Sequence, residues 1–210
     1  MKAILSNYCF DPEWIKDYSE LDVTIYDRSD DGLERNLTQY GRVLKVPNRG
    51  DVDYDKLTYL IENYDDLPEV FLWSKTNIHK FVEDDALREA IKKAEFKPLV
   101  RKNHSIYSDK FGPVNKYDGN VYWERADSWF FNAGLDKSGQ FQNWYDWCAT
   151  FGLPMEPYIP FAPGGSYILT RERVHKNSRD IYEAMRSTLP YAAHPVEAHC
   201  CERSYYYLFR

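Results

Sequence analysis

The sequence predicts an α/β fold: a single domain built on a mixed, mostly parallel sheet that is flanked by helices on both faces. Within residues 1–100, short apolar runs that end in polar residues alternate with amphipathic stretches, which is the order that βαβ units produce. Residues 47–79 give the clearest unit, with a glycine turn, a helical spacing of apolar residues, a breaker at 65–68 and a buried strand at 70–73. The length of 210 residues suits one domain with one large core.

Each predicted element has a local signal in the sequence. Runs of apolar or β-branched residues predict strands at 2–6, 22–26, 42–46, 70–73, 97–100 and 167–169. Caps or helical spacing predict helices that begin at Asp11 and Pro12, after Gly50, at 84–94, at 141–151, after Ser178, and from His194 and Pro195 to the C-terminus. Residues 101–135 carry no clear pattern, and residues 153–165 are expected to be extended and broken by prolines.

Charge and hydropathy argue against several classes of protein. The net charge of −6 and the pI near 5.4 disfavour a nucleic-acid-binding protein, which would normally present a basic surface to phosphates. No apolar run approaches the roughly 18 to 20 residues that span a bilayer, and the N-terminal residues resemble a strand more than a signal peptide. We therefore expect a soluble, cytoplasmic protein without membrane insertion.

Polar side chains follow three of the predicted strands, at the edge where open α/β sheets bind ligands. These residues are Asn7, then Asp27 and Arg28, then Lys75, Asn77 and His79. A carboxylate such as Asp27 can bond to a ribose hydroxyl or a base edge, although turns and helix caps use the same residue types. We therefore expect a ligand site at these strand ends, with ordinary polar loops as the alternative.

A further candidate lies at the start of the helix that follows the third strand. Asn48, Arg49 and Gly50 precede this helix, where backbone N–H groups and the positive end of the helix favour an anion. Arg49 would add a fixed positive charge. An ordinary turn with a surface arginine explains the same residues equally well.

The C-terminal helix carries two candidate catalytic acids, Glu197 and Glu202, with Arg203 beside the second. Glu197 falls at the third predicted helical position, where a capping-box acid would stand. Glu202 lies about one turn further along, so it is the better catalytic candidate. A structural ion pair between Glu202 and Arg203 is the alternative.

The sequence contains no clear metal site. Asp51 and Asp53 form an acid pair of the kind that binds metal in many sugar-nucleotide enzymes, but here the pair begins a helix instead of following a strand. Motifs for phosphate-binding P-loops, GxSxG hydrolases, HExxH zinc sites and CxxC sites are absent from the sequence.

Three parts of the chain resemble a family of small glycosyltransferase-like proteins found in bacterial glycan loci, fungi and large algal viruses. They are YDRSDD at 26–31, PNRG at 47–50 with YDKLTYLIENYDDLPEVFLW at 54–73, and FAPGGSYILTRERV at 161–174 with EAHCCERSYYYLF at 197–209. The resemblance implies a GT-A-like fold over residues 1–210. In that fold a nucleotide-binding half would cover about 1–100 and an acceptor half about 101–210.

The resemblance also implies roles for the candidate residues. Those expected to contact the nucleotide sugar are Asn7, Asp27, Arg28, Asn48, Arg49, Lys75, Asn77 and His79. The resemblance implies a divalent metal, Mn²⁺ or Mg²⁺, as one alternative. Lys75 and Asn77 occupy the place where its acid pair normally stands, so neutralisation of the diphosphate by a lysine is the other alternative. Glu197 or Glu202, together with Arg203, would face the acceptor or the leaving group.

The expected activity is transfer of a sugar from a nucleotide sugar, a UDP-sugar above all, to a hydroxyl of a glycan, such as a viral capsid glycan made in the host-cell cytoplasm. Two alternatives stay open at this point. A non-catalytic module that binds carbohydrate or a sugar nucleotide would explain the 17% aromatic content and the missing acid pair. A glycoside hydrolase would need two carboxylates about 5 to 9 Å apart.

Overall fold

A computed structural model describes residues 1–100, 116–126 and 138–210 of the chain. The strands are β1 Lys2–Asn7, β2 Asp22–Asp27, β3 Arg42–Lys45, β4 Val70–Lys75, β5 Lys97–Pro98, β6 Lys116–Tyr117, β7 Tyr122–Arg125, β8 Tyr158–Phe161 and β9 Tyr167–Thr170. The helices are α1 Asp51–Glu62, α2 Asp84–Lys93, α3 Trp144–Phe151, α4 Arg171–Val174, α5 Arg179–Ser187 and α6 Glu197–Phe209. Predictions for residues 101–115 and 127–137 lie outside the described residues.

The larger sheet has six strands in the order β3-β2-β1-β4-β9-β5. The first four are parallel, and β9 runs antiparallel between β4 and β5. The predicted mixed, mostly parallel sheet is therefore confirmed. Within the described ranges, no helix combines the length and the apolar character needed to cross a bilayer.

Both faces of this sheet are covered, because side chains alternate along each strand. One face carries Ile4 and Trp73 and packs under α1, α5 and α6, which contribute a second set of buried apolar residues: Leu57, Leu60, Tyr182, Met185, Tyr205 and Leu208. The other face carries Leu5 and Leu72 and packs against α2 through Leu87, Ala90 and Ile91. The prediction of helices on both faces is confirmed.

A smaller antiparallel sheet, in the order β6-β7-β8, packs beside α6. The sequence does not predict this sheet, because residues 116–126, which form β6 and β7, carry no clear pattern. The proline-broken stretch at 153–165 contains β8, in which Pro160 pairs with Trp123. Short strands whose partners are distant in sequence give little local signal, and a proline hides the strand further.

Three helix starts differ from the predictions. The helix predicted at 141–151 begins only at Trp144, because Asn143 caps it by accepting from the N–H groups of Tyr145 and Asp146. The segment after Pro12 is only a short 3-10 turn at Glu13–Asp17, and Asp11 accepts a hydrogen bond from the Tyr40 hydroxyl at 2.5 Å instead of capping a helix. The last helix begins at Glu197, so this residue is the first helical position and not the third. Its carboxylate accepts from the Tyr191 hydroxyl at 2.6 Å, and no capping box forms.

The topology places a crevice between β1 and β4. From β1 the chain first builds β2 and β3 on one side, and then crosses by α1 to β4 on the other side of β1. The register sets Asn7 opposite Asp27 and Ser6 opposite Lys75, so the carboxyl ends of these strands lie together. Ligands of open α/β sheets bind at such a switch point.

Candidate functional site

A cleft of about 170 Å³ opens at this switch point. It is lined by polar or charged groups from the ends of β1, β2 and β4, the start of α1 and the segment before α6. The charged or polar side chains that the chemistry below depends on are Arg28, Asp51, Lys75, Asn77 and His194. Three of these residues, Arg28, Lys75 and Asn77, are ones that the sequence predicts to lie together at the strand ends.

Arg28 is a buried cation with one nitrogen, Nη1, that lies 3.9 Å from Oδ1 of Asp51 without a hydrogen bond to it. Its side chain is 1% exposed. Nε and Nη2 donate to Oδ1 of Asn48 at 3.2 and 3.0 Å, and Nη2 also donates to the Ala193 carbonyl at 3.2 Å. Nη1 is buried without a hydrogen-bond partner among the residues that the structure describes. The guanidinium is thus fixed through Nε and Nη2, while Nη1 makes no hydrogen bond of its own in the described part of the chain.

Lys75 is the second cation of the cleft. It is half-buried at the end of β4, and its ammonium lies 5.1 Å from the centre of the Phe81 ring. This ammonium has neither a hydrogen bond nor an ion pair within residues 1–100, 116–126 and 138–210. Its charge helps to lower the pKa of Asp51 and that of Glu202, so it lies near both carboxylates.

Asn77 follows Lys75 and is also incompletely bonded. Its Oδ1 is buried and accepts no hydrogen bond from the described part of the chain. A buried polar atom without a partner costs roughly 1 to 3 kcal/mol, so such atoms in a cleft commonly mark a place for a ligand.

Asn7 and Asp27 support the cleft and do not line it. Asn7 donates from Nδ2 to Asp27 Oδ1 at 3.0 Å and accepts from the Thr76 hydroxyl at 2.6 Å, and both side chains are buried. Asp27 also accepts from Ser29 and from the Lys45 ammonium. Burial alone would raise the pKa of Asp27, but these hydrogen bonds outweigh it and lower the pKa. The ends of β1, β2 and β4 are thereby tied together.

The other predicted nucleotide-binding residues lie in different places. Asn48 bridges Arg28 and Asp30, donating to Oδ2 of Asp30 at 2.7 Å. Arg49 is exposed and lies over the Tyr54 ring at 5.2 Å. His79 packs edge-on against Trp14, with ring centres 5.3 Å apart. Asn48 therefore orients Arg28, whereas Arg49 and His79 are not among the residues that line the cleft.

Asp51 and His194 are cleft residues that the sequence did not identify as a pair. Nδ1 of His194 lies 3.0 Å from Oδ2 of Asp51. Burial raises the pKa of Asp51, but the Val52 N–H, His194, Lys75 and Arg28 lower it more strongly, so the carboxylate is ionised at neutral pH. The acid pair at 51–53 is split: Asp51 lines the cleft, and Asp53 is buried beneath it.

Below the cleft, α6 contributes an ion-pair group. Arg203 donates from Nη1 to Glu202 at 2.9 Å and from Nε to Glu124 at 3.1 Å. Burial raises the pKa of Glu202, but Arg203, Lys75, His199 and Lys56 together lower it. Burial and the charge of Arg203 lower the pKa of His199 to about 4, so His199 is neutral at pH 7. Glu202 and Arg203 thus form the ion pair that the sequence analysis gives as the alternative to a catalytic role.

Glu197 lies apart from this group. Its side chain is fully buried, with Oε2 accepting from Tyr191 and Oε1 without a hydrogen-bond partner in the described ranges. It is not among the residues that line the cleft. None of the three candidate catalytic residues is among those that line the cleft, and Glu202 is the one whose pKa the charge of Lys75 lowers.

The donor set of the cleft suits an anion more than a cation. No group of three or more His, Cys, Asp and Glu side chains is placed to hold a metal ion within the described residues. The carboxylate that lines the cleft is Asp51, and it is already bonded to His194 and attracted by Arg28 at 3.9 Å. An Mn²⁺ or Mg²⁺ ion would meet two cations here and few free oxygen ligands.

Comparison with known proteins finds no matching family, no matching curated protein and no matching solved structure. The chemistry of the cleft is therefore the basis for assigning a function.

Proposed function

We propose that the protein is a glycosyltransferase that moves a sugar from a nucleotide sugar, of the UDP class, to a hydroxyl of a glycan. The observation that carries this proposal is the pair of cations that line one cleft, Arg28 and Lys75. Nη1 of Arg28 has no hydrogen bond, and the ammonium of Lys75 has no ion pair, among the described residues. A diphosphate presents several anionic oxygens over a few ångströms. It can therefore accept from two separate cationic groups at once, which a ligand with a single carboxylate does less well. The sequence resemblance supports the same reading, with a GT-A-like sugar-nucleotide fold as part of the proposal.

In the proposed reaction, Arg28 and Lys75 stabilise the diphosphate as it departs. Negative charge grows on the leaving oxygen while the bond to the sugar breaks, and fixed cations are most effective where charge develops. Arg28 is already held by Asn48 and Ala193, so it needs no rearrangement when the ligand binds. Lys75 supplies the charge that a metal supplies in many enzymes of this kind.

The residues of the cleft do not fit a divalent metal as the diphosphate's partner. Asp51 is engaged by His194, and Lys75 and Asn77 follow β4. We propose that donor binding needs no Mn²⁺ or Mg²⁺.

Glu202 does not suit the role of the protonated acid in the glycoside-hydrolase alternative. A hydrolase of the two-carboxylate type needs one acid that stays protonated near neutral pH, which requires a raised pKa. The pKa of Glu202 is lowered instead, because burial, which raises it, is outweighed by Arg203 and the other nearby cations. An ionised Glu202 near Lys75 suits a group that stabilises the positive charge developing on the transferred sugar.

Calorimetric titration with UDP-, GDP- and TDP-sugars, in EDTA and in Mn²⁺, tests this function. We expect saturable binding of UDP-sugars that is equally tight in EDTA, and slow release of UDP when the bound donor is incubated with the enzyme. Binding without any UDP release would support the non-catalytic module instead. Absence of binding across the panel would contradict the proposal.

A further inference from the structure

The segment before α6 is held firmly against the start of α1. The backbone N–H of Gly50 donates to the Ala192 carbonyl at 2.7 Å, and the N–H of Asp51 donates to the Ala193 carbonyl at 2.9 Å. Arg28 adds a third bond to the Ala193 carbonyl at 3.2 Å. These three contacts fix the backbone that carries His194 at the rim of the cleft.

The contact with Asp51 favours one tautomer of the His194 ring. The tautomer that donates from Nδ1 to the ionised Asp51 Oδ2, across 3.0 Å, carries its lone pair on Nε2. The His194 side chain is 63% exposed, and its ring meets the Tyr8 ring edge-on at 6.0 Å. A carboxylate that orients an imidazole in this way is the arrangement by which histidine serves as a general base.

Resting on the proposed transferase function, we propose that His194 is the general base of the reaction and that Asp51 is the residue that positions it. Nε2 takes the proton of the acceptor hydroxyl while the acceptor oxygen forms its bond to the anomeric carbon. The bond from that carbon to the diphosphate oxygen breaks, and the nucleoside diphosphate leaves with the electron pair. The imidazolium that results is stabilised by Asp51 and later gives its proton to solvent.

Glu202 is a weaker candidate for this proton transfer. Its carboxylate accepts a hydrogen bond from Arg203 at 2.9 Å, and its pKa is lowered by that and the other cations despite its burial. A carboxylate so stabilised takes up a proton poorly near neutral pH, where an imidazole does so readily. In this proposal, therefore, Glu202 contributes negative charge and His194 takes up the proton.

The charged and titratable groups that share the cleft with His194 come from each element around it. They are Asp51 at the start of α1, Arg28 after β2 and Lys75 at the end of β4. Tyr8 after β1 contributes its phenol. Because a general base acts only in its unprotonated form, the pH dependence of turnover is one readout of this proposal.

The test compares UDP release from UDP-glucose, UDP-galactose and UDP-N-acetylglucosamine in the parent and in three variants, with water as the acceptor. His194→Gln removes the base and Asp51→Asn removes its orienting charge. His175→Gln is the matched control, because His175 is an exposed histidine that bonds to the Tyr64 carbonyl and does not line the cleft. Calorimetry with UDP and thermal unfolding accompany each variant.

We expect His194→Gln to lower kcat by about 10²- to 10⁴-fold, the usual range for a lost general base, with the Kd for UDP within about twofold. The low-pH limb of the rate profile should vanish in this variant, and Asp51→Asn should lower kcat while leaving a titrating limb. If a folded His194→Gln variant turns over UDP-sugars as fast as the parent does, His194 is not the base. That result would leave the proposed transferase function standing. A parent that neither binds nor cleaves any UDP-sugar would overturn the transferase function, and the base with it.

Discussion

Nη1 of Arg28 lies 3.9 Å from Oδ1 of Asp51, which is close enough for attraction and too far for a hydrogen bond. A buried donor left in this state costs on the order of 1 to 3 kcal/mol. An anionic oxygen bound at Nη1 would recover that cost, and it would gain the attraction of Lys75 as well. The folded chain therefore carries, beside Asp51, a buried guanidinium nitrogen without a hydrogen bond in the described residues.

Glu202→Gln separates catalysis from structure on α6. Arg203 keeps its bond to Glu124 in this variant, so its buried charge stays paired, and we expect a stability loss of only about 1 kcal/mol. The Kd for UDP should hardly change. Turnover of UDP-sugars should fall about 100-fold, because a fixed charge near the sugar is lost.

Glu124→Gln is the matched control for that experiment. It removes the other carboxylate from Arg203 and leaves Glu202 in place. We expect a similar loss of stability with turnover retained. If both variants lose activity in proportion to their stability, the pair of Glu202 and Arg203 is structural.

Gly50→Ala should destabilise the start of α1 more than Gly32→Ala destabilises its loop. Both glycines have nearly the same left-handed backbone, with φ of +73° and +72°, so both variants incur the cost of about 1 kcal/mol that alanine meets there. A Cβ at Gly50 would also lie 2.5 Å from Cβ of Tyr54, whereas a Cβ at Gly32 would meet nothing within 4 Å. Overpacking adds roughly 1 to 3 kcal/mol at Gly50. Equal losses in urea denaturation would contradict the predicted clash.

Because of Asp55, we expect the free energy of unfolding to decrease as the pH rises from about 4 to about 7. Burial raises its pKa to about 7, and its Oδ2 accepts from the Ser6 hydroxyl at 2.5 Å. Because the folded chain holds this proton more tightly than the unfolded chain does, stability is lost through that window by up to about 1.4 kcal/mol per pH unit.

The measurement for Asp55 is the free energy of unfolding of the parent and of Asp55→Asn, in urea at pH 5, 6, 7 and 8. The parent should lose on the order of 2 kcal/mol relative to the variant between pH 5 and 7. Asp22→Asn at an exposed position is the control, and its curve should run parallel to the parent's. A parallel curve for Asp55→Asn would show that Asp55 is ionised in the fold.

Much of the larger sheet could be predicted from the sequence, because its signals are local. The runs that became β1, β2 and β4 are apolar and end in visible polar residues, so the convergence of Arg28, Lys75 and Asn77 followed from the parallel order of the strands. The contact of Glu202 with Arg203 needed only their adjacency on one helix.

The remaining parts of the site depend on long-range contacts. His194 and Asp51 are 143 positions apart, and nothing near either residue indicates the other. Asn7 and Asp27 were expected to face a ligand, but the register turns them toward each other, a detail that strand patterns do not contain. The pairing of Pro160 with Trp123 likewise depends on the fold of the smaller sheet.

The measurement that tests the central claim most directly is a calorimetric titration of UDP in EDTA into the parent, Lys75→Met and Lys92→Met. Lys92 is exposed on α2 and lies outside the cleft, so it controls for the loss of one charge. We predict that Lys75→Met weakens binding by about 10- to 100-fold, as expected for a lost charge-assisted bond, while Lys92→Met binds as the parent does and both variants unfold at the parent's temperature. Equal affinity of all three proteins for UDP would contradict the claim that the cleft between β1 and β4 holds the diphosphate.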